Sequence, residues 1–121
     1  DDVLVMTFSE FGRRVVENGS QGTDHGAGSS LYIMGGGVKA GIFGDHPSLT
    51  DLDNGDLRFG IDFRSVYGTL LQDWLGTPPA AVIGGGSFPR LGFVASPAST
   101  GPTDYGEGPA AAARALALAN R

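Results

Sequence analysis

The chain contains no cysteine. Disulfides and thiolate metal sites are thereby excluded, and any metal it holds takes nitrogen or oxygen ligands. Positive charge is also scarce: eight Lys and Arg against thirteen Asp and Glu give a net charge of −5. A nucleic-acid-binding domain would need a basic patch, so that class is excluded too. No stretch is long and apolar enough to span a bilayer. The N-terminal residues carry no signal-peptide pattern, and no internal repeat is present. The first residues are Asp1 and Asp2, with no initiator Met, and a core-type apolar run starts at Val3. This reads as a cut inside a longer protein.

What remains fits one small globular unit: 121 residues, 40% hydrophobic and 17% charged. Glycine is the excess, with 21 residues, which implies many tight turns and close backbone approaches. Val3-Leu4-Val5-Met6-Thr7-Phe8 lacks period-2 alternation and reads as a strand buried on both faces, as in a parallel sheet. Residues 17–30 are polar and glycine-rich and read as a loop. Leu31-Tyr32-Ile33-Met34 reads as a second buried strand, ended by Gly35-Gly36-Gly37. Residues 38–44 read as a short strand or turn. Residues 45–61 read as loop, with Asn54-Gly55 as a turn or hairpin signal. The clearest helix covers 63–75, with Asp62 as N-cap and Phe63, Val66, Tyr67, Leu70, Leu71, Trp74 and Leu75 on one stripe. Gly76 and Pro78 end it. Residues 80–83 read as a short strand. From Ala95 onward Pro, Gly, Ala, Ser and Thr dominate, so 95–121 reads as a linker-like tail, with helix propensity over 110–119.

The polar cluster after the first apolar run carries the candidate chemistry. His25, between glycines in Gly22-Thr23-Asp24-His25-Gly26, offers an imidazole of the kind that binds zinc, and Asp24 and Glu10 offer hard oxygen donors. The plainer reading is a loop histidine bonded to backbone. Glu10 is a ligand candidate, or a carboxylate that caps the next turn or pairs with Arg13 or Arg14. Arg13 or Arg14 suits an oxyanion clamp; the plainer reading pairs one of them with Glu17. The run Gly35-Gly36-Gly37-Val38-Lys39-Ala40 fits a dinucleotide fingerprint only loosely, because no helix pattern follows it. It reads as a turn. His46 reads as structural, Trp74 as core, and the acidic run Asp51 to Asp56 as a solvated loop without the final glutamate of a calcium loop.

Several strings together resemble a known family. These are Val3-Leu4-Val5-Met6-Thr7-Phe8-Ser9-Glu10-Phe11-Gly12-Arg13-Arg14, Gly22-Thr23-Asp24-His25-Gly26, Gly35-Gly36-Gly37-Val38, His46-Pro47-Ser48-Leu49, Asp62-Phe63-Arg64-Ser65-Val66-Tyr67 and Phe88-Pro89-Arg90-Leu91-Gly92-Phe93. In order over 3–94, they resemble the carboxyl-terminal part of the bacterial domain-of-unknown-function family 1501. That family is similar to sulfatases and belongs to the alkaline phosphatase-like superfamily. The resemblance implies an α/β fold, the C-terminal portion of an α/β/α sandwich around a mostly parallel sheet. Residues 1–94 would be the segment of that domain and 95–121 the tail.

The resemblance further implies a divalent metal, with zinc as one candidate, at the carboxyl edge of the strands, used to hydrolyse phosphate or sulfate esters. His25 matches the superfamily's later metal histidine. Glu10-Phe11, or Ser9-Glu10 if shifted by one, stands where an Asp-His metal pair is expected, so Glu10 is a ligand or an acid/base group, and Phe11 cannot be a ligand. Asp24 is a ligand or orients His25. Arg13 is a candidate anion contact. The nucleophile and remaining ligands would lie upstream, in the missing N-terminal half of the same domain, leaving this segment inactive alone. The implied substrate is a small-molecule or polymer ester, and the implied location is the periplasm or cell envelope. The competing expectation is a non-catalytic envelope binding or structural module with a degenerate metal site.

Overall fold

The computed structural model of the chain describes residues 3–95 and the strand at 116–120. The expected linker and the first part of the expected terminal helix lie outside these residues. The described residues form small strand pairs and one short helix. The strands are β1 (Leu4–Met6), β2 (Gly12–Glu17), β3 (Thr23–Gly26), β4 (Ser29–Gly35), β5 (Gly41–Ile42), β6 (Leu52–Asp53), β7 (Asp56–Leu57) and β8 (Leu116–Asn120), and the helix is α1 (Phe63–Thr69). One four-stranded sheet has the order β1-β4-β8-β5, and β2-β3 and β6-β7 are separate pairs. Every pairing is antiparallel except β5 with β8.

The expected α/β/α sandwich with a mostly parallel sheet is therefore corrected. Parallel neighbours need a long crossover, usually a helix. Between β1 and β4 the chain instead makes the β2–β3 hairpin, with no helix, and β4 returns antiparallel to β1 with Val5 opposite Met34. The expected double-sided burial also fails. Along β4, Leu31 and Ile33 are buried while Tyr32 between them is 44% exposed. Along β1, Leu4 and Met6 pack on the core, and Val5 is 48% exposed. This is the one-faced pattern of an antiparallel sheet. The apolar outward residues hide the alternation from the sequence.

The inward face of β1 and β4 meets Val38, Val66, Phe93 and Val94, which with Leu31 and Ile33 form the buried core. Val38 bridges Val94, so the glycine turn after β4 and the segment ending at Ala95 close on each other. Phe93 lies edge-on to Phe43, ring centroids 6.0 Å apart. Burying side chains of this size stabilises by about 1.5–3 kcal/mol each.

The helix follows its signals and then departs from them. The Asp62 carboxylate accepts the Arg64 backbone N–H at 2.8 Å, capping the first turn. Its hydrogen bond with the Arg64 side chain holds that guanidinium pKa above its ordinary value. After Thr69 the chain widens into a π-helical turn, Leu70–Trp74, closed by the Leu75 N–H donating to the Leu70 carbonyl. Leu70 and Trp74 still reach the core. Gly76 takes the left-handed conformation, φ 64°, at the expected stop.

Three other local expectations change. Residues 80–83 do not form a strand; Pro79–Ala81 is a 3₁₀ turn. Residues 17–30 are not simply a loop, since β3 and the start of β4 fall inside them. Leu116–Asn120, where composition favours helix, is a strand between β4 and β5. The Asn54-Gly55 hairpin does form: both residues have positive φ, 50° and 89°, and join β6 to β7.

Thr69 joins the helix to the irregular segment beyond it. Its buried hydroxyl donates to the Ser65 carbonyl at 2.7 Å and accepts the Leu91 N–H at 2.8 Å. Thr69→Val keeps the shape and leaves the Leu91 N–H without its partner. It should lower unfolding stability by about 1–3 kcal/mol in urea titration, and an unchanged midpoint would count against this role. Asp62→Ala should cost about 1 kcal/mol in the same measurement through loss of the cap.

Candidate functional site: the face of the β2–β3 hairpin

The hairpin that carries the candidate residues is shaped by one polar turn. The Asn18 carboxamide oxygen accepts the N–H groups of Ser20 and Gly22, and the Asn18 N–H donates to the Gly22 carbonyl at 2.8 Å. This folds Thr23–Gly26 back along β2, with Arg13 opposite His25 and Gly12 opposite Gly26. At the other end, β2 presses on the start of β4. A Cβ built on Gly12 would lie 1.5 Å from the Gly28 carbonyl oxygen, a position no side chain can occupy.

Directly opposed residues in an antiparallel pair project from the same face, as do residues two apart on one strand. Arg13 and His25 therefore share a face, and Phe11 joins them. The Phe11 and His25 rings stack with centroids 3.5 Å apart and planes 10° from parallel. The Arg13 guanidinium lies 5.4 Å from the Phe11 ring centre, and its Nη1 donates to the Thr23 carbonyl at 2.8 Å. The His25 imidazole makes no hydrogen bond among the described residues, and its ring plane is set by the stack on Phe11. The backbone-bonded loop histidine expected as the plainer reading is not what forms.

Asp24 and His25 are adjacent on a strand and point to opposite faces. The Asp24 carboxylate accepts the Asn18 side-chain N–H at 2.9 Å, so it braces the turn. The structure does not bring it to His25. Glu10 lies in the loop four residues past the end of β1, not at a strand end. The Ser9 hydroxyl donates to the Phe11 carbonyl at 2.7 Å across it, leaving Glu10 exposed at the bend. Among the described residues no three His, Asp or Glu side chains gather into a group able to hold a metal ion. The donors present do not form a metal cage by themselves.

The two arginines have separate tasks. Arg14 points away from the His25 face and pairs with Asp56 at 3.3 Å, not with Glu17. The second Asp56 oxygen accepts the Ala27 N–H at 3.1 Å. One carboxylate on β7 thereby holds the open end of the hairpin, at the first part of β2 and just past β3. Arg13 is left facing solvent beside the two rings.

Two clefts flank this region. One, of about 450 Å³, is lined by Ser9, Phe11, Gly12, Arg13, Gly28, Ser29, Ser30 and Leu57. The other, of about 410 Å³ with mostly apolar walls, is lined by the same Gly28, Ser29, Ser30 and Leu57 together with residues 42–47 and Arg58. His46 sits there with Nδ1 3.0 Å from the Pro47 carbonyl. The sequence pointed to Glu10, Arg13, Asp24 and His25 as candidates but not to Ser29, Ser30 or the apolar cleft. The only available signal was the i, i+2 spacing of Phe11 and Arg13, which is visible only once 12–17 is read as a strand.

By fold, the described residues are mostly small antiparallel strand pairs with one short helix, carrying a stacked aromatic and cationic face. Residues 1–82 match the family described as "Protein of unknown function (DUF1501)", and the chain belongs to that family. No curated protein and no solved structure matches it. Among the described residues no helix is long and apolar enough to cross a membrane.

The stacking has a direct signature. The His25 ring protons lie over the Phe11 ring and should resonate upfield of their random-coil positions in a proton NMR spectrum. Phe11→Leu should return them to ordinary values without unfolding the chain, and unshifted His25 resonances in the parent would rule out the stack in solution.

Proposed function

We propose that this chain is part of a sulfatase-like, metal-dependent hydrolase of phosphate or sulfate esters, in the alkaline phosphatase-like superfamily. Its contribution would be an anion-facing surface, inactive alone because the nucleophile and further ligands lie in the remainder of the protein. The observation that carries the reading is the shared face of Arg13 and His25, with the Phe11 ring fixing the imidazole plane. An anionic ester oxygen suits the Arg13 guanidinium, which offers charged N–H donors. His25 offers ring nitrogens as metal ligand or hydrogen-bond partner. Glu10 is exposed and close in sequence, as a ligand or acid/base group completed from outside this segment.

Hydrolysis needs water oxygen to bond phosphorus or sulfur, the ester bond to break, and a proton to reach the departing alcohol oxygen. A divalent ion, zinc being suited to imidazole, would need ligands beyond the described residues, because His25 is not joined by Asp24. A periplasmic or envelope location follows from the family resemblance and belongs to the same proposal.

One observation favours a second reading. Phe11 covers a face of the His25 ring, and Asp24 is committed to the turn, as in a non-catalytic envelope module with a degenerate site. Metal analysis and turnover of the whole protein separate the two. The hydrolase reading expects stoichiometric metal that falls in His25→Ala and Glu10→Ala. It also expects cleavage of aryl phosphate or aryl sulfate that drops on the order of 10²-fold in Arg13→Gln. Unchanged metal content in both alanine variants, with no turnover of either ester, would leave the second reading.

A further inference from the structure

The two clefts flanking the hairpin face meet along one segment. Gly28, Ser29, Ser30 and Leu57 line both. On the Arg13 side the walls include Arg13, Ser9, Ser29 and Ser30. On the far side they are mostly apolar, with Ile42, Phe43 and Pro47. Ile42 is 83% exposed although it lines this cleft, an apolar side chain left uncovered by its own fold. Each cleft falls within the range of small-molecule sites, which are largely apolar with a few placed polar groups.

We infer that the two clefts form one groove for an amphiphilic anion, a sulfate or phosphate monoester of an extended apolar alcohol. The charged head lies beside Arg13, at the serine-lined end. The alcohol part passes Gly28 and Leu57 and rests against Ile42 and Pro47. This inference rests on the anion-contact reading of Arg13 and adds the chemistry of the rest of the substrate.

The test is binding of butyl, pentyl and hexyl sulfate, the matching alkyl phosphates, and inorganic sulfate and phosphate to the whole protein, by calorimetry. Affinity should rise roughly two- to fourfold for each added methylene, the span between a half-open and a closed apolar site. Ile42→Ser, at an exposed position that leaves the fold intact, should flatten that dependence. Arg13→Gln should weaken every member about tenfold while keeping the slope. Comparison of the sulfate and phosphate series identifies the head group. Arg13-dependent binding with no length dependence, or a slope unchanged in Ile42→Ser, overturns the extended-substrate inference alone. Binding of none of the anions, or binding indifferent to Arg13→Gln, overturns the anion-contact reading as well.

Discussion

Alternation along β4 is the constraint on which the rest of the structure depends. Leu31 and Ile33 turn inward to meet Val38, Val66 and Phe93, while Tyr32 turns outward. That one decision fixes which face of β1 is covered, because its register places Val5 opposite Met34 on the outer side. It also fixes where the turn after Gly35 must bring Val38. A shift of one residue would turn Tyr32 into the core and Leu31 and Ile33 out of it. The helix α1 then packs against a surface already defined, and Thr69 carries the order onward to Leu91 by a hydroxyl rather than by apolar contact.

The candidate site is built on a less apolar foundation. β2 and β3 bury little: of the residues in these two strands only Gly12 is fully buried. Their shape comes from the Asn18 turn and from backbone contact at Gly12 and Gly28, where a side chain has no room. On this polar frame the Phe11–His25 stack supplies rigidity that a core would otherwise supply. An imidazole held flat against a ring keeps one plane, and its nitrogens keep fixed directions. This is the kind of positioning that ligand-binding groups require.

The sequence made parts of this legible for clear physical reasons. The helix at 63–75, its Asp62 cap and its Gly76 stop rest on local chemistry, and so does the Asn54-Gly55 turn. Those features formed where the residues pointed. The π-helical widening at 70–74 left no trace in the stripe, because Leu70 and Trp74 reach the core in either geometry. The β2–β3 hairpin was hidden because Thr23, Asp24, His25 and Gly26 offer no apolar alternation, and its turn is set by side-chain hydrogen bonds. The strand at Leu116–Asn120 was hidden because alanine-rich composition favours helix and only distant pairing with β4 and β5 overrides it. Strand direction depended on the connection between β1 and β4, which the apolar runs themselves do not encode. His25 and Arg13 were visible as chemistry, but their common face was not.

The Asp56 tether gives the hairpin an attachment different in kind from that of the core. Arg14 and Asp56 are 40% and 25% exposed, so dissolved ions reach the pair and screen it. The contacts among Leu31, Ile33, Val66 and Phe93 do not respond to screening in this way. In dilute buffer the hairpin is drawn to β7 by charge and by the Ala27 N–H. In concentrated salt the charge contribution fades, and the hairpin is left with hydrogen bonds and close backbone packing. Ionic strength therefore acts on the surface that bears Arg13 and His25 before it acts on the body that supports it.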